Sequence, residues 1–425
     1  MDLMGQPQRA CPVIQITGTN GKGSTALIID ALLRASGLRT GRFTSPHLQD
    51  VTERVCIDGQ PITPDMFDAV WADIAPLVAM VDERRIDGIS CTFFEVMTAL
   101  AYAAFADAPV DVAVMEVGMG GRWDATSVAD AAVAVITPID LDHMAYLGGT
   151  IVQIATEKAG IIKPGSVAVV ADQTPEAFRV LTTRCNDVGA TWVSAGRDFG
   201  LIDARMAAGG QVIRVMTGDG PVGDLFLPLH GMHMAHNAAQ AVAAVEALLG
   251  RPMSAQVIQD AFDVVEAPAR LELVATDPPV VIDTAHNPHG VVATLKGLQS
   301  AFGFAPLVGV LGMMADKAVH DVLELLEPEV AMLVVTAADN PRAMPTAQLA
   351  ALAGEIFGPD RVVAASDVRS ALAQAKRLAV AAGDQAGVVV LGSVYLAGAV
   401  RDATVGAMAR EQALLDEVDD YDEPA

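Results

Sequence analysis

Aromatic side chains make up only 4% of this 425-residue chain. Its cores cannot rest on stacked rings and must be built from small and branched aliphatics, which suits buried parallel strands under close-packed helices. Cysteine is as sparse: Cys11, Cys56, Cys91 and Cys185 are scattered, with no pair at C-x-x-C spacing. That argues against a disulfide framework and a structural zinc site, and fits a reducing compartment. Cations are few, with 27 Lys and Arg against 52 Asp and Glu and a formal net charge of −25. Such a surface repels nucleic-acid phosphates and anionic lipid, so neither nucleic acid nor membrane is an expected partner. No apolar run reaches about 18 residues, and no signal pattern opens the chain, so a cytoplasmic protein is expected. Part of the acidity lies in Glu411–Glu423, which reads as a solvated tail.

What is abundant is aliphatic: 52% of residues are hydrophobic, mostly Ala, Val and Leu. The length exceeds one ordinary core, so two or three domains are expected. A strand over Pro12–Thr17 runs into a Gly-rich loop, followed by a helix from about Ser24 to Ala35 that Gly37 stops. A strand near Thr40–Thr44 and Val-rich runs at Val110–Val117 and Ala131–Thr137 alternate with helical stretches such as Asp65–Met80 and Phe94–Ala106. That alternation predicts a doubly wound α/β domain. Phe199–Leu229, broken by Gly209-Gly210 and Gly218-Asp219-Gly220, predicts an antiparallel flap, and a helix follows from Ala235 to Leu249. After Pro268-Ala269-Arg270 the pattern restarts, with buried-type strands at Val280–Asp283, Leu307–Leu311, Val330–Thr336 and Val388–Leu391. The expected domains are 1–272 and a smaller α/β domain, 273–425.

The Gly-rich loop is Gly18-Thr19-Asn20-Gly21-Lys22-Gly23-Ser24. Between a strand and a helix, such a loop offers backbone N–H groups and a helix N-terminus to an anion, and Lys22 adds a full positive charge. Ile16 stands where the common G-x-x-x-x-G-K-[ST] form has its first glycine, so this is a shorter variant. Thr19, Asn20, Gly21, Lys22, Gly23 and Ser24 are the expected ATP-phosphate contacts. A tight turn alone is the competing reading.

In order along the chain come Thr44-Ser45-Pro46-His47-Leu48, Thr92-Phe93-Phe94-Glu95, Glu116 to Thr126, Asp142-His143 with Leu147-Gly148, Glu157-Lys158-Ala159-Gly160-Ile161, Asp283 to Pro288, and Gly392 to Gly398. With the loop, this ordered set resembles the folylpolyglutamate synthase and dihydrofolate synthase branch of the Mur ligase superfamily. The resemblance covers nearly the whole chain and implies a P-loop ATPase domain followed by a Rossmann-like glutamate-ligase domain. It departs from the family at the start, where only Met1–Gln8 precede Arg9 instead of a helical segment that contributes to the pterin site. It departs again at Pro268-Ala269-Arg270, where the family has Pro-Gly-Arg, and at Asp316-Lys317-Ala318, which lacks the acidic residue often found third.

The implied reaction joins L-glutamate to dihydropteroate or to a folate through an acyl phosphate, at the expense of ATP. Two anions must then meet, so cations must be collected locally. The resemblance assigns Ser45, Glu116, His143 and a carbamylated Lys158 to two Mg2+ ions, with a monovalent cation such as K+ as a further possible cofactor. Glu116 ends a buried strand, where open α/β sheets bind ligands. By itself, Ser45 could begin a turn and Lys158 could be a surface lysine. Asn237 resembles an adenine contact, its alternative being a helix N-cap. Arg270 and Asp283 are implied ATP contacts from the second domain, and His286, Ser393, Tyr395 and Arg42 would bind glutamate. Lys158, Arg270 and His286 are the implied catalytic groups. Thr92, Phe93, Phe94, Glu95, Trp123, Asp124 and Ala125 match pteroate-lining segments, though aromatics at a helix start are core in most proteins. The expected state is a monomer. The rival readings are a Mur-type ligase acting on a cell-wall precursor and a P-loop nucleotide-binding protein without ligase activity.

Overall fold

The computed structural model describes residues 1–85 and 88–406; the acidic segment Glu411–Glu423 lies outside the described residues. The chain divides into two compact units, Met1–Glu266 and Ala267–Ala425. Among the described residues, no helix is long and apolar enough to cross a membrane.

The first unit is built on an eight-stranded sheet. Its strands are β1 (Val13–Thr17), β2 (Thr40–Phe43), β3 (Val55–Ile57), β4 (Gln60–Pro61), β5 (Val112–Glu116), β6 (Val133–Ile136), β7 (Val167–Val170) and β8 (Thr191–Ser194). The order across the sheet is β4-β3-β2-β5-β1-β6-β7-β8. From β2 to β8 the pairing is parallel, and β3 and β4 close one edge as an antiparallel ribbon. The central strands β1, β2, β5 and β6 are buried along their whole length, as expected for parallel strands covered on both faces. β5 and β6 are shorter than the apolar runs that predicted them. The flanking Val117 and Thr137 still donate backbone N–H bonds to Ile16 and Thr17, so the pairing continues where the regular ladder stops.

The helix after β1 spans Lys22–Ala35, one half-turn earlier than its apolar pattern predicts, because Gly21 at φ 87° turns the chain into it. The predicted flap is a three-stranded antiparallel sheet of β9 (Gly200–Ala207), β10 (Gly210–Thr217) and β11 (Gly220–Leu227). Its buried face carries Ile213, Val215, Leu225 and Leu227. Gln259, on the helix Ala255–Asp263, exchanges two hydrogen bonds with the Phe226 backbone and fastens that helix to β11. The helix Met232–Leu249 is buried along most of its length, and Gln240 donates to the carbonyls of Ile136 and Val169 on β6 and β7. Ahead of β1 the chain forms two short 3-10 turns, Asp2–Met4 and Pro7–Arg9, and Met1 and Met4 pack against the cluster that contains Tyr102 and Phe105.

The second unit holds a six-stranded sheet in the order β12-β13-β17-β14-β15-β16. The strands are β12 (Glu272–Thr276), β13 (Pro279–Ile282), β14 (Leu307–Leu311), β15 (Val330–Val335), β16 (Val362–Ala364) and β17 (Gly387–Leu391). Only β12 runs antiparallel to its neighbour. The break between the units falls before Pro268-Ala269-Arg270. Leu271 N donates to Asp283 at 3.0 Å and ties that segment to the second unit's own sheet.

Tyr102 is fully buried on the helix Phe93–Asp107, and its hydroxyl donates to the Thr126 carbonyl at 2.9 Å. Tyr102→Phe leaves that carbonyl dry and unpaired. We expect a loss of about 1–3 kcal/mol, read as a lower denaturant midpoint with an unchanged slope.

Candidate active site

The sheet order sets β2, β5, β1 and β6 side by side and parallel, so the segments leaving their carboxyl ends emerge together. These segments begin at Thr44, Val117, Gly18 and Thr137. Open α/β sheets bind ligands at such an edge, where neighbouring strands send their connections opposite ways.

The phosphate loop is fitted tightly into this edge. A Cβ on Gly18, at φ 153°, would stand 1.8 Å from Thr137 Oγ1, and one on Gly21 would stand 2.9 Å from Asn237 Oδ1. Thr137 Oγ1 donates to the Asn20 carbonyl at 2.7 Å, and Thr19 exchanges bonds with the Asp140 backbone. Lys22 Nζ donates to the carbonyls of Gly18 and Thr19, at 3.1 and 3.2 Å. Asn237 therefore sits against the loop, and it lies well inside the helix Met232–Leu249, whose N-cap is Gly231. Both facts weigh against the N-cap reading. Gly23 and Ser24 lie in the first turn of the loop's own helix.

Lys158 ends the helix Ile151–Lys158 and is 4% exposed, so it is not a surface lysine. Its Nζ donates to the Gly18 carbonyl at 2.7 Å. Burial and the nearby Lys22 charge push this amine down to about 7, while Asp142 and Asp124 pull it partly back. The helix end is held by backbone packed on backbone. A Cβ on Gly121 would meet the Glu157 and Lys158 carbonyls at 2.9 Å, and one on Gly160 would come within 2.3 Å of Arg122 Cα. Arg122 N also donates to the Glu157 carbonyl.

Glu116 ends β5 and is buried, and its Oε2 accepts the Ser45 backbone N–H at 3.0 Å. The structure thus brings Ser45 and Glu116 together, and Lys158 to the phosphate loop. His143 caps a short helix, Met144–Leu147, in the left-handed region at φ 51°, and its Nε2 lies 3.9 Å from Asp142 Oδ2. Among the described residues, the cluster of His, Cys, Asp or Glu ligand atoms within 4.8 Å of one another is His320, Asp321 and Glu324, on the surface of another helix.

The pteroate candidates fall into two groups. Thr92 and Glu95 form a reciprocal capping box, and Asp124 accepts from Met119 N, Thr126 N and Thr126 Oγ1. Burial raises the Asp124 carboxyl above the usual range despite those bonds. Ala125 begins the 3-10 turn that Asp124 caps. These residues shape loops. Phe94 is packed against Phe43 and over Gly118, whereas Phe93 and Trp123 are 59% and 52% exposed. Arg42 is buried on β2, with Nη2 3.1 Å from Cys56 Sγ and Nε 3.7 Å from Asp30, so its charge is balanced inside the domain rather than offered to a substrate.

In the second unit, Asp283 follows β13. It accepts from Leu271 N, Ala285 N and Thr294 Oγ1, and so orders the loops carrying Arg270 and His286. Arg270 stands between Ala269 at φ 54° and Leu271 at φ 49°. His286 Nδ1 lies 2.9 Å from the Thr284 carbonyl. Ser393 caps the helix Val394–Arg401, which carries the partly exposed Tyr395, and Gly392 N donates to the Ala285 carbonyl at 2.8 Å. The two loops therefore meet at the carboxyl ends of the adjacent strands β13 and β17. Sequence reasoning missed Thr137 and the charge of Asp142 beside Lys158. A Thr closing a Val-rich run was the available signal for the first.

The Mur ligase middle domain family matches residues 58–245, and the Mur ligase, glutamate ligase domain family matches residues 269–394. A dihydrofolate synthase/folylpolyglutamate synthase of Mycobacterium tuberculosis is 47% identical over 426 residues, covering 94% of this chain and 88% of that protein. The chain belongs to the dihydrofolate synthase/folylpolyglutamate synthase family of Mur ligases. A Lacticaseibacillus casei folylpolyglutamate synthase is 34% identical, covering 96% of this chain and 93% of its own. The solved Mycobacterium tuberculosis folylpolyglutamate synthase complexed with ADP matches with a TM-score of 0.92 at 46% identity, over 95% of this chain and 92% of that one. An FPGS-AMPPCP-folate complex matches with a TM-score of 0.80 at 33% identity, over 95% and 92%. The fold is the Mur ligase arrangement of a P-loop α/β domain followed by a smaller Rossmann-like one.

The packing of Gly160 on Arg122 is what seats Lys158 in this family fold. Gly160→Ala forces the two backbones apart. We expect a destabilisation of about 1–3 kcal/mol, visible as a lower melting temperature.

Proposed function

We propose that the chain is an ATP-dependent ligase that adds L-glutamate to dihydropteroate, to a reduced folate, or to both, through an acyl phosphate. The observation that carries this reading is the buried Lys158 amine on the Gly18 carbonyl of the phosphate loop, in a chain 47% identical to a dihydrofolate synthase/folylpolyglutamate synthase. A nucleotide-binding protein without ligase activity has no need of a buried amine at that place, and the identity to folate ligases disfavours a cell-wall precursor as substrate.

In this reading, Thr19 to Ser24 and Lys22 hold the ATP phosphates and Asn237 meets the adenine. The family resemblance also implies Arg270 and Asp283 as ATP contacts. A carboxylate oxygen of the acceptor attacks the γ-phosphorus, and ADP departs with the electron pair. The neutral amine of glutamate then attacks the acyl carbon, phosphate leaves, and the nitrogen sheds a proton. His286, Ser393 and Tyr395 orient glutamate for that attack. Phe93 and Trp123 offer exposed ring faces to the flat part of the acceptor.

The donor set suits magnesium only once Lys158 is modified. Ser45 and Glu116 would supply oxygen and His143 an imidazole, but an ammonium joining that set would repel a cation. A neutral buried amine adds to CO2 and releases a proton, and the resulting carbamate anion would offer oxygens in place of a cationic amine. Magnesium held by these groups would offset the charge of the phosphate and the acceptor carboxylate. With Lys158 near 7, protonation below that value removes the nucleophile, so the carbamate forms above about pH 7 and is lost as pH falls through it.

A coupled ATPase assay with glutamate and either dihydropteroate or tetrahydrofolate tests the reading. Turnover that requires both glutamate and a folate acceptor is expected; ATP hydrolysis indifferent to glutamate would sink it. Lys158→Ala should abolish turnover, with no rescue by high bicarbonate. In 13C-bicarbonate, the wild-type carbamate signal should be present at pH 8 and lost by pH 6. His286→Ala should raise the KM for glutamate more than the KM for ATP.

A further inference from the structure

The loop between Ser45 and Arg54 is built more firmly than a connection needs to be. Glu53 accepts three successive backbone N–H groups, from Leu48, Gln49 and Asp50, and Asp50 returns a bond to Thr52 N in a capping box. Arg54 closes the loop. Its side chain is buried, and its backbone carbonyl accepts from Thr44 N. Two features of its guanidinium stand out. Nε donates to His47 Nδ1 at 2.9 Å, and the guanidinium carbon lies 5.2 Å from the centre of the exposed Phe93 ring.

An arginine Nε always carries its proton, so His47 Nδ1 must be the acceptor. In the neutral ring the proton then belongs to Nε2. Among the described residues, no protein acceptor is bonded to Nε2, and the side chain is only partly buried. The protein therefore fixes a single N–H donor without supplying its partner. That donor is carried two residues from Ser45, whose N–H is bound to Glu116, and on the same guanidinium as Phe93.

We propose that His47 binds the carboxylate of the acceptor substrate through Nε2–H, and that Arg54 is the positioning residue that fixes its tautomer and steadies Phe93. The inference rests on the ligase reading above and names a specificity determinant for it. One guanidinium thereby holds both an aromatic ring face and a carboxylate-binding donor, the two chemistries that an acceptor with a flat ring and an acid calls for. The proposal assigns this pair to the acceptor and not to glutamate or ATP.

The test combines spectroscopy with kinetics. In wild-type protein with 15N-labelled histidine, His47 is expected as the Nε2–H tautomer; protonation on Nδ1 instead would overturn the proposal without any mutation. Arg54→Met should convert the His47 signal to a mixture of tautomers. Next, KM values are measured for dihydropteroate, tetrahydrofolate, ATP and glutamate. His47→Phe should raise KM for the accepted folate by about tenfold or more, the loss of one hydrogen bond to a charged group, and leave the other two KM values within about twofold. His47→Gln, which retains an N–H donor, should recover part of the loss. A His47→Phe enzyme whose folate KM is unchanged, or whose three KM values rise together, would refute the assignment. If wild type shows no folate-dependent turnover, the ligase reading fails first, and the two failures are distinguishable.

Discussion

The approach of the Lys158 amine to the Gly18 carbonyl is the contact on which the site depends. It joins the end of one helix to the turn that begins another, across 140 residues of sequence. Neither partner reaches it alone. Gly18 is held by Thr137 just past β6, and Lys158 is held by the glycine-on-backbone packing of 121–122 against 157–160. The chemistry of the amine follows from that packing. Excluded from water and facing Lys22, the group gives up charge that the same side chain would keep on a surface.

The two units answer one mechanical problem in similar ways. Each places its candidate site residues in loops at the carboxyl ends of adjacent parallel strands, where strand spacing fixes how far apart the loops begin. In the first unit β5 lies between β2 and β1, so the chain must leave the sheet edge and return before Glu116 can stand beside Ser45. In the second, β17 is inserted next to β13, which brings Gly392 and Ser393 back to the loop of Asp283 and His286. Asp283 and Glu53 act alike: each is a carboxylate that organises a loop by collecting backbone N–H groups.

Much of this was legible in the sequence because it was written in local patterns. The Val-rich runs marked β5 and β6, and Gly pairs marked the turns of β9 to β11. The ordered motifs marked the edge loops. What was not legible depended on packing between distant segments. Nothing near Lys158 says that it is buried, since its neighbours Glu157 and Gly160 are typical of a helix end in water. Arg42 looked like a cation available to a substrate, yet its partner Asp30 lies on the first helix and Cys56 on a neighbouring strand. Thr92 and Glu95 looked like lining residues and are also the cap of their own helix. The helix of Asn237 began three residues earlier than its apolar pattern suggested, and that shift moved the side chain from the helix end to its interior.

Arg270 is flanked by two buried residues, Ala269 and Leu271, that hold left-handed backbone without being glycine. Each such residue costs on the order of 1–3 kcal/mol, which the surrounding unit must supply when it folds. The return on that expense is timing. The backbone on either side of Arg270 is set once, at folding, and only the rotamers of the arginine side chain are left to be ordered when it meets a ligand.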